Sequence, residues 1–149
     1  MATIEEIKQL RDETGAGVMD AKKALEESNG DVAKAKEYLK QKGLERAAKK
    51  ADREIKAGLI FSYIHAGRVG ALVKLGCETD FVAKNEAFVK TGNEIAMHVA
   101  AMQPESIEVL LEQDYIRDSS KKIKDLVTDL ISKTGENIVL AEVSFLSIN

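Results

Sequence analysis

The chain has 149 residues, enough for one ordinary domain or for a small domain attached to a larger one. Hydrophobic residues at 44% and charged residues at 32% exclude a disordered chain, and no apolar run approaches the ~20 residues that span a bilayer. The formal net charge of −3 gives no support to a nucleic-acid or anionic-membrane binder, and the lone Cys77 rules out an internal disulfide framework. That cysteine usage, with no basic stretch and apolar run at the N-terminus to act as a secretory signal, predicts a reducing, cytoplasmic setting.

Residues 1–43 read as three helices. Thr3-Ile4-Glu5-Glu6 has capping-box spacing, and Ile4, Ile7 and Leu10 then share one helical face that stops before Gly15. Thr14-Gly15-Ala16-Gly17 is a tight turn, and the second helix carries the stripe Val18, Ala21, Ala24 and Leu25. Asn29-Gly30 ends that helix. Asp31 caps a third, with Val32, Ala35, Tyr38 and Leu39 on its inner side. So small a core suits an adaptor or docking module better than a substrate pocket. Val18 and Met19 are neighbours and cannot both face that core, so one sits on the surface with Arg11 close by. Residues 44–56 mix both charges and read as a solvated helical extension or linker. Acids interrupt the basic run and no aromatic is there to stack on bases, which disfavours a nucleic-acid patch.

Residues 57–149 read as a sheet covered by helices, making the whole chain α+β. Gly58 to His65 and Val69 to Cys77 are strand-like and flank the turn Ala66-Gly67-Arg68, which predicts an antiparallel hairpin. Asn85 to Met102 is a long helix with Phe88, Ile95, Ala96 and Val99 on one side. Pro104 breaks it before a short helix at Ile107 to Leu111. Ser119 or Ser120 caps a further helix, whose Ile123, Leu126, Val127, Leu130 and Ile131 fit the amphipathic template without a gap. Gly135 closes it, and Ile138 to Phe145 completes a three-stranded antiparallel sheet.

Between the second strand and the long helix lies Thr79-Asp80-Phe81-Val82-Ala83-Lys84-Asn85, a turn with a large aromatic beside a carboxylate. Two readings stand at this point. Asp80 caps the next helix while Phe81 turns into the core, or the pair is offered to a partner. Catalytic constellations are absent. His65 and His98 lack partners at zinc-like spacing, and His98 reads as a half-buried polar residue of the long helix. Gly15-Ala16-Gly17 and Gly67-Arg68-Val69-Gly70 lack the ending of a phosphate loop. Cys77 has no basic neighbour to lower its pKa. The residues predict a binding protein, not an enzyme, with neither cofactor nor metal.

The run Leu10-Arg11-Asp12-Glu13-Thr14-Gly15-Ala16-Gly17-Val18-Met19-Asp20-Ala21-Lys22-Lys23-Ala24-Leu25 resembles the N-terminal signature of the translation elongation factor Ts family. Cys77 to Asn85 resembles that family's second signature. Ile95 to Met102 and Gly135-Glu136-Asn137-Ile138 are similar to two further segments in the same order, so the resemblance covers most of the chain. It implies a guanine-nucleotide exchange factor for the GTPase elongation factor Tu, bound in its GDP-loaded and nucleotide-free states. It implies a ubiquitin-associated-like three-helix domain that docks through Arg11, Val18 and Met19. It also implies that Thr79, Asp80, Phe81 and Val82 enter the GTPase near its magnesium and phosphate-binding elements, with Phe81 as wedge and Asp80 as polar competitor. His98 is implied as a weaker contact of the long helix.

The chain departs from the family pattern in two places. The stretch from Met102 to Asp114 is too short for the second core subdomain of long members. Val139-Leu140-Ala141-Glu142 stands where members often carry arginines. A shortened core leaves a sheet edge that a second copy can cover, giving a homodimer. The alternative function is a ubiquitin-associated-like module that binds another partner without exchange activity, which a ubiquitin titration would test.

Overall fold

The computed structural model describes residues 2–148. The chain divides into two compact units, Met1–Lys49 and Lys50–Asn149.

The first unit is helical: α1 (Ile4–Thr14), α2 (Val18–Glu27) and α3 (Val32–Lys50). The capping box forms as its spacing predicts. The Thr3 hydroxyl accepts from the Glu6 N–H and a Glu6 carboxylate oxygen accepts from the Thr3 N–H, both at 3.1 Å. Gly15 ends α1 at φ 76°, a left-handed conformation that glycine adopts without a Cβ clash. Asp31 caps α3 through the Lys34 N–H at 3.1 Å. Leu10, Ala21, Ala24, Leu25 and Ala35 form the core, with Ile7, Tyr38 and Leu39 packed against it. None of those five central residues is larger than leucine and three are alanines, so the helices enclose little apolar volume. The third helix does not stop at Gly43. It runs on to Lys50, and Arg46 makes a two-pronged ion pair with Asp20 of α2 at 3.0 and 3.1 Å.

The second unit is α+β. Strands β1 (Ala57–His65), β2 (Val69–Cys77) and β5 (Val139–Ser147) form an antiparallel sheet in the order β1-β2-β5. Side chains alternate across a strand, so the register Phe61↔Val73↔Val143 and Tyr63↔Ala71↔Phe145 puts these residues on one face. That face is covered by α5 (Glu86–Met102), with the Phe61 and Phe88 rings 6.0 Å apart. A register shift between Lys74 and Leu75 keeps Leu140 on the covered face opposite Leu75. The helix α7 (Ile123–Thr134) buries the five apolar residues read from its sequence and ends at Gly135, φ 76°.

Two features differ from the sequence reading. The cap of α7 is neither Ser119 nor Ser120 but Lys122, whose N–H donates to the Asp125 carboxylate at 2.9 Å. The two serines lie in a strand, β4 (Asp118–Lys122), paired with β3 (Asp114–Tyr115) just after the short helix α6 (Ile107–Glu112). The longer strand of this hairpin, β4, is made of aspartate, serine and lysine, which carry no apolar alternation to announce a strand. Among the described residues no helix is long and apolar enough to cross a membrane.

Candidate functional site

The turn that follows β2 is built from its buried end outward. Cys77 is fully covered, and its thiol donates to the Thr79 carbonyl at 3.2 Å. Burial pushes that thiol's pKa up, and the Glu136 carboxylate adds to the effect, so it stays protonated and unreactive. Thr79 caps the single turn α4 (Asp80–Ala83), its hydroxyl accepting from the Val82 N–H at 3.4 Å. Asn85 caps α5 through the Ala87 N–H at 2.8 Å. Asp80 therefore caps neither helix. Successive helical side chains diverge by about 100°. With Val82 and Ala83 turned inward, Phe81 is turned outward and is 84% exposed.

A four-residue helix has no stability of its own. This one is held by a loop 57 residues further along. The Glu136 carboxylate accepts from the Glu78 and Thr79 N–H groups, both at 3.0 Å, and from the Thr79 hydroxyl at 2.6 Å. In return Glu78 accepts from the Asn137 N–H at 2.7 Å, with the Arg53 guanidinium 3.6 Å away. Arg53 also donates to the Gly135 carbonyl at 3.3 Å. The buried Asn137 amide donates to the carbonyls of Ala51 and Arg53 at 3.4 and 2.9 Å. Each of two acidic side chains thus satisfies the backbone on which the other sits.

In the helical unit, Arg11 donates through Nε to the Ala16 carbonyl at 3.4 Å, bracing the turn between α1 and α2. Val18 and Met19 open α2 and are 48% and 72% exposed, so both face outward and not one alone. Beside them Asp20 is held by Arg46, whose hydrogen bond lowers the carboxyl pKa.

The expected site residues do not all present side chains. Asp80 and Phe81 are exposed, and the Thr79 hydroxyl is engaged with Glu136 and Val82. Val82 is 5% exposed and faces the core. His98 also lies inward. Its ring is fully covered, its Nδ1 accepts from the Ile116 N–H at 3.3 Å, and Nε2 lies 2.9 Å from Gln113 Oε1. A backbone amide can only donate, so the proton sits on Nε2 and is given to Gln113. The residues missed by sequence reading are Glu136, Glu78, Asn137 and Arg53. The Gly135-Glu136-Asn137-Ile138 segment marked the loop, but nothing in the sequence shows which distant amides it meets. Among the described residues no three His, Cys, Asp or Glu side chains gather to hold a metal ion.

A family model described as Elongation factor TS matches residues 78–149, which includes the exposed turn. An elongation factor Ts of Thermodesulfovibrio yellowstonii is 40% identical over 182 aligned residues, covering 93% of this chain and 92% of that protein. The chain belongs to the elongation factor Ts family. Another relative, from Coprothermobacter proteolyticus, is 43% identical and is covered over 91% of its length. Both alignments are longer than this whole chain, so these elongation factor Ts proteins carry residues with no counterpart here. An elongation factor Ts of Clostridium botulinum is 45% identical across all of this chain, which spans 49% of that protein's length.

Proposed function

We propose that this chain is a guanine-nucleotide exchange factor that binds elongation factor Tu loaded with GDP and releases the nucleotide, acting by binding alone. The carrying observation is Phe81: a phenyl ring 84% exposed on a turn whose next two residues are buried. The ring reaches the partner's magnesium and phosphate-binding elements as a wedge, while the Asp80 carboxylate competes for polar contacts there. A phosphate loop holds GDP through backbone amides and charge, so small displacements cost much affinity. Loosening a nucleotide from nanomolar to micromolar takes ~4.1 kcal/mol of coupling. Burying one phenylalanine supplies ~1.5–3 kcal/mol, so docking provides the rest. We assign that docking to the three-helix unit, read as ubiquitin-associated-like, through Arg11, Val18 and Met19 on the partner's nucleotide-binding domain. Coupling is reciprocal: returning nucleotide weakens the factor's hold by the same ratio, which permits turnover.

The test is stopped-flow release of labelled GDP from the cognate GTPase. The chain accelerates release, and Phe81→Ala slows it strongly with moderate loss of binding. Unchanged stimulation by Phe81→Ala would refute the wedge. The assembly is proposed to be cytoplasmic, without nucleic acid or membrane, and homodimeric. The dimer is supported by the outer sheet face, where the register brings Ile64, Leu72 and Leu146 together, all more than half exposed.

A further inference from the structure

Glu136 is 57 residues from Thr79 in sequence, yet it makes three hydrogen bonds to the strand-to-helix turn. It receives the N–H groups of two successive residues and the hydroxyl of the second, so both its oxygens are engaged. Bonds to an ionised acceptor are about twice as strong as neutral ones. Besides Glu136, the segment that bears Phe81 is held by the buried Val82 and Ala83 and by backbone bonds from Ala83 to Thr79, Lys84 to Asp80 and Asn85 to Val82. The helix that bears Phe81 is one turn long, and the capping bond from Val82 to Thr79 is long at 3.4 Å. The same hydroxyl that closes this cap donates to Glu136 at 2.6 Å, which fixes where its lone pairs point. The loop bearing Glu136 is itself held, by the Glu78 carboxylate on the Asn137 N–H and by Arg53 on the Gly135 carbonyl.

We infer that Glu136 is a positioning residue for nucleotide exchange: its carboxylate clamps the Glu78-Thr79 backbone so that the Phe81 ring is aimed before the partner arrives. The inference rests on the exchange reading above. Without the clamp the turn samples other orientations, and only the fraction aimed correctly drives release. Docking by the helical unit does not involve Glu136. Loss of the clamp therefore lowers the maximal rate and leaves the half-saturating concentration of the factor nearly unchanged.

The experiment measures GDP release against factor concentration for the full chain and for Phe81→Ala, Glu136→Ala, Glu136→Gln and Phe81→Ala/Glu136→Ala. Glu136→Ala lowers the maximal rate about ten-fold, the effect of losing charge-assisted hydrogen bonds. Glu136→Gln, which still accepts from both amides, falls between Glu136→Ala and the unaltered chain. The double variant is no slower than Phe81→Ala alone, because aiming an absent ring has no value. A Glu136→Ala rate equal to that of the unaltered chain, with Phe81→Ala slow, overturns the clamp and leaves the exchange reading standing. Full activity of Phe81→Ala removes the wedge and the clamp with it, whereas no acceleration by the unaltered chain removes the exchange reading. Should Glu136→Ala not fold, Glu136→Gln decides: faster amide hydrogen exchange at Glu78 and Thr79 with a lower maximal rate supports the clamp, and unchanged values of both refute it.

Discussion

His98 has no exposed atom although it is one of two histidines in a chain with ample polar surface. Its neutral ring bridges Gln113 and the Ile116 amide, with the Tyr115 ring 6.1 Å away. Burial lowers its pKa from the ordinary 6.5, the Gln113 bond opposing this only in part. The unfolded chain thus takes up a proton at a higher pH than the folded one. Stability is fully present above the unfolded pKa and falls as the pH drops from there toward the folded pKa, by up to ~1.4 kcal/mol per pH unit. Urea midpoints between pH 8 and 5 should show this fall, and His98→Gln should flatten it. A slope identical in the two proteins would place the titration elsewhere. Phe81 is the opposite case: a large apolar side chain left in water, where the scaffold gains almost nothing from it. Phe81→Ala should accordingly leave the unfolding free energy from urea titration within about 0.5 kcal/mol of the unaltered chain.

The long helix α5 meets the sheet through Gly92, where an added Cβ would lie 2.2 Å from the Phe61 ring. That ring is itself buried and packed on Phe88, so it has nowhere to move. Gly92→Val should lower stability by about 1–3 kcal/mol through overpacking, measured by thermal or chemical unfolding. The close approach is invisible in sequence, because it depends on a strand residue 31 positions away. Legibility followed the strength of the local signal. Thr3-x-x-Glu6, Gly15 and Asp31 mark helix ends because capping is settled by a few neighbouring residues. The stripe from Ile123 to Ile131 marks α7 because one face must be apolar over three turns. The hairpin of β3 and β4 left no such mark. Its strands are two and five residues long, the longer one wholly polar, and are defined by pairing with each other. The cap shifted from Ser119 or Ser120 to Lys122 for the same reason.

For the molecule as a whole, the strand register separates two sheet faces. One is covered by α5, and the other carries Ile60, Ile64, Leu72 and Leu146 in water, interrupted by the Lys74 and Glu142 pair of positions. Covering that apolar face with a second copy is the basis of the proposed homodimer. Sedimentation at micromolar concentration should give twice the chain mass, and Leu72→Lys, which puts a charge in its centre, should give the monomer. A monomer in both would sink the dimer and leave the exchange reading intact. The sequence by itself determined the α+β class, the order of the long elements, the helix ends marked by Thr3, Gly15, Asp31 and Gly135, and the family, since each depends on residues close together or on long motifs read in a line. It also marked the Thr79 to Val82 turn as distinctive. Only the tertiary structure decided which way those side chains point. Val82 and His98 went inward, Phe81 went outward, and the carboxylate of Glu136 closed on amides 57 residues away. Burial and hydrogen bonding between distant segments depend on packing, and a local pattern of residues does not encode the partner it will meet.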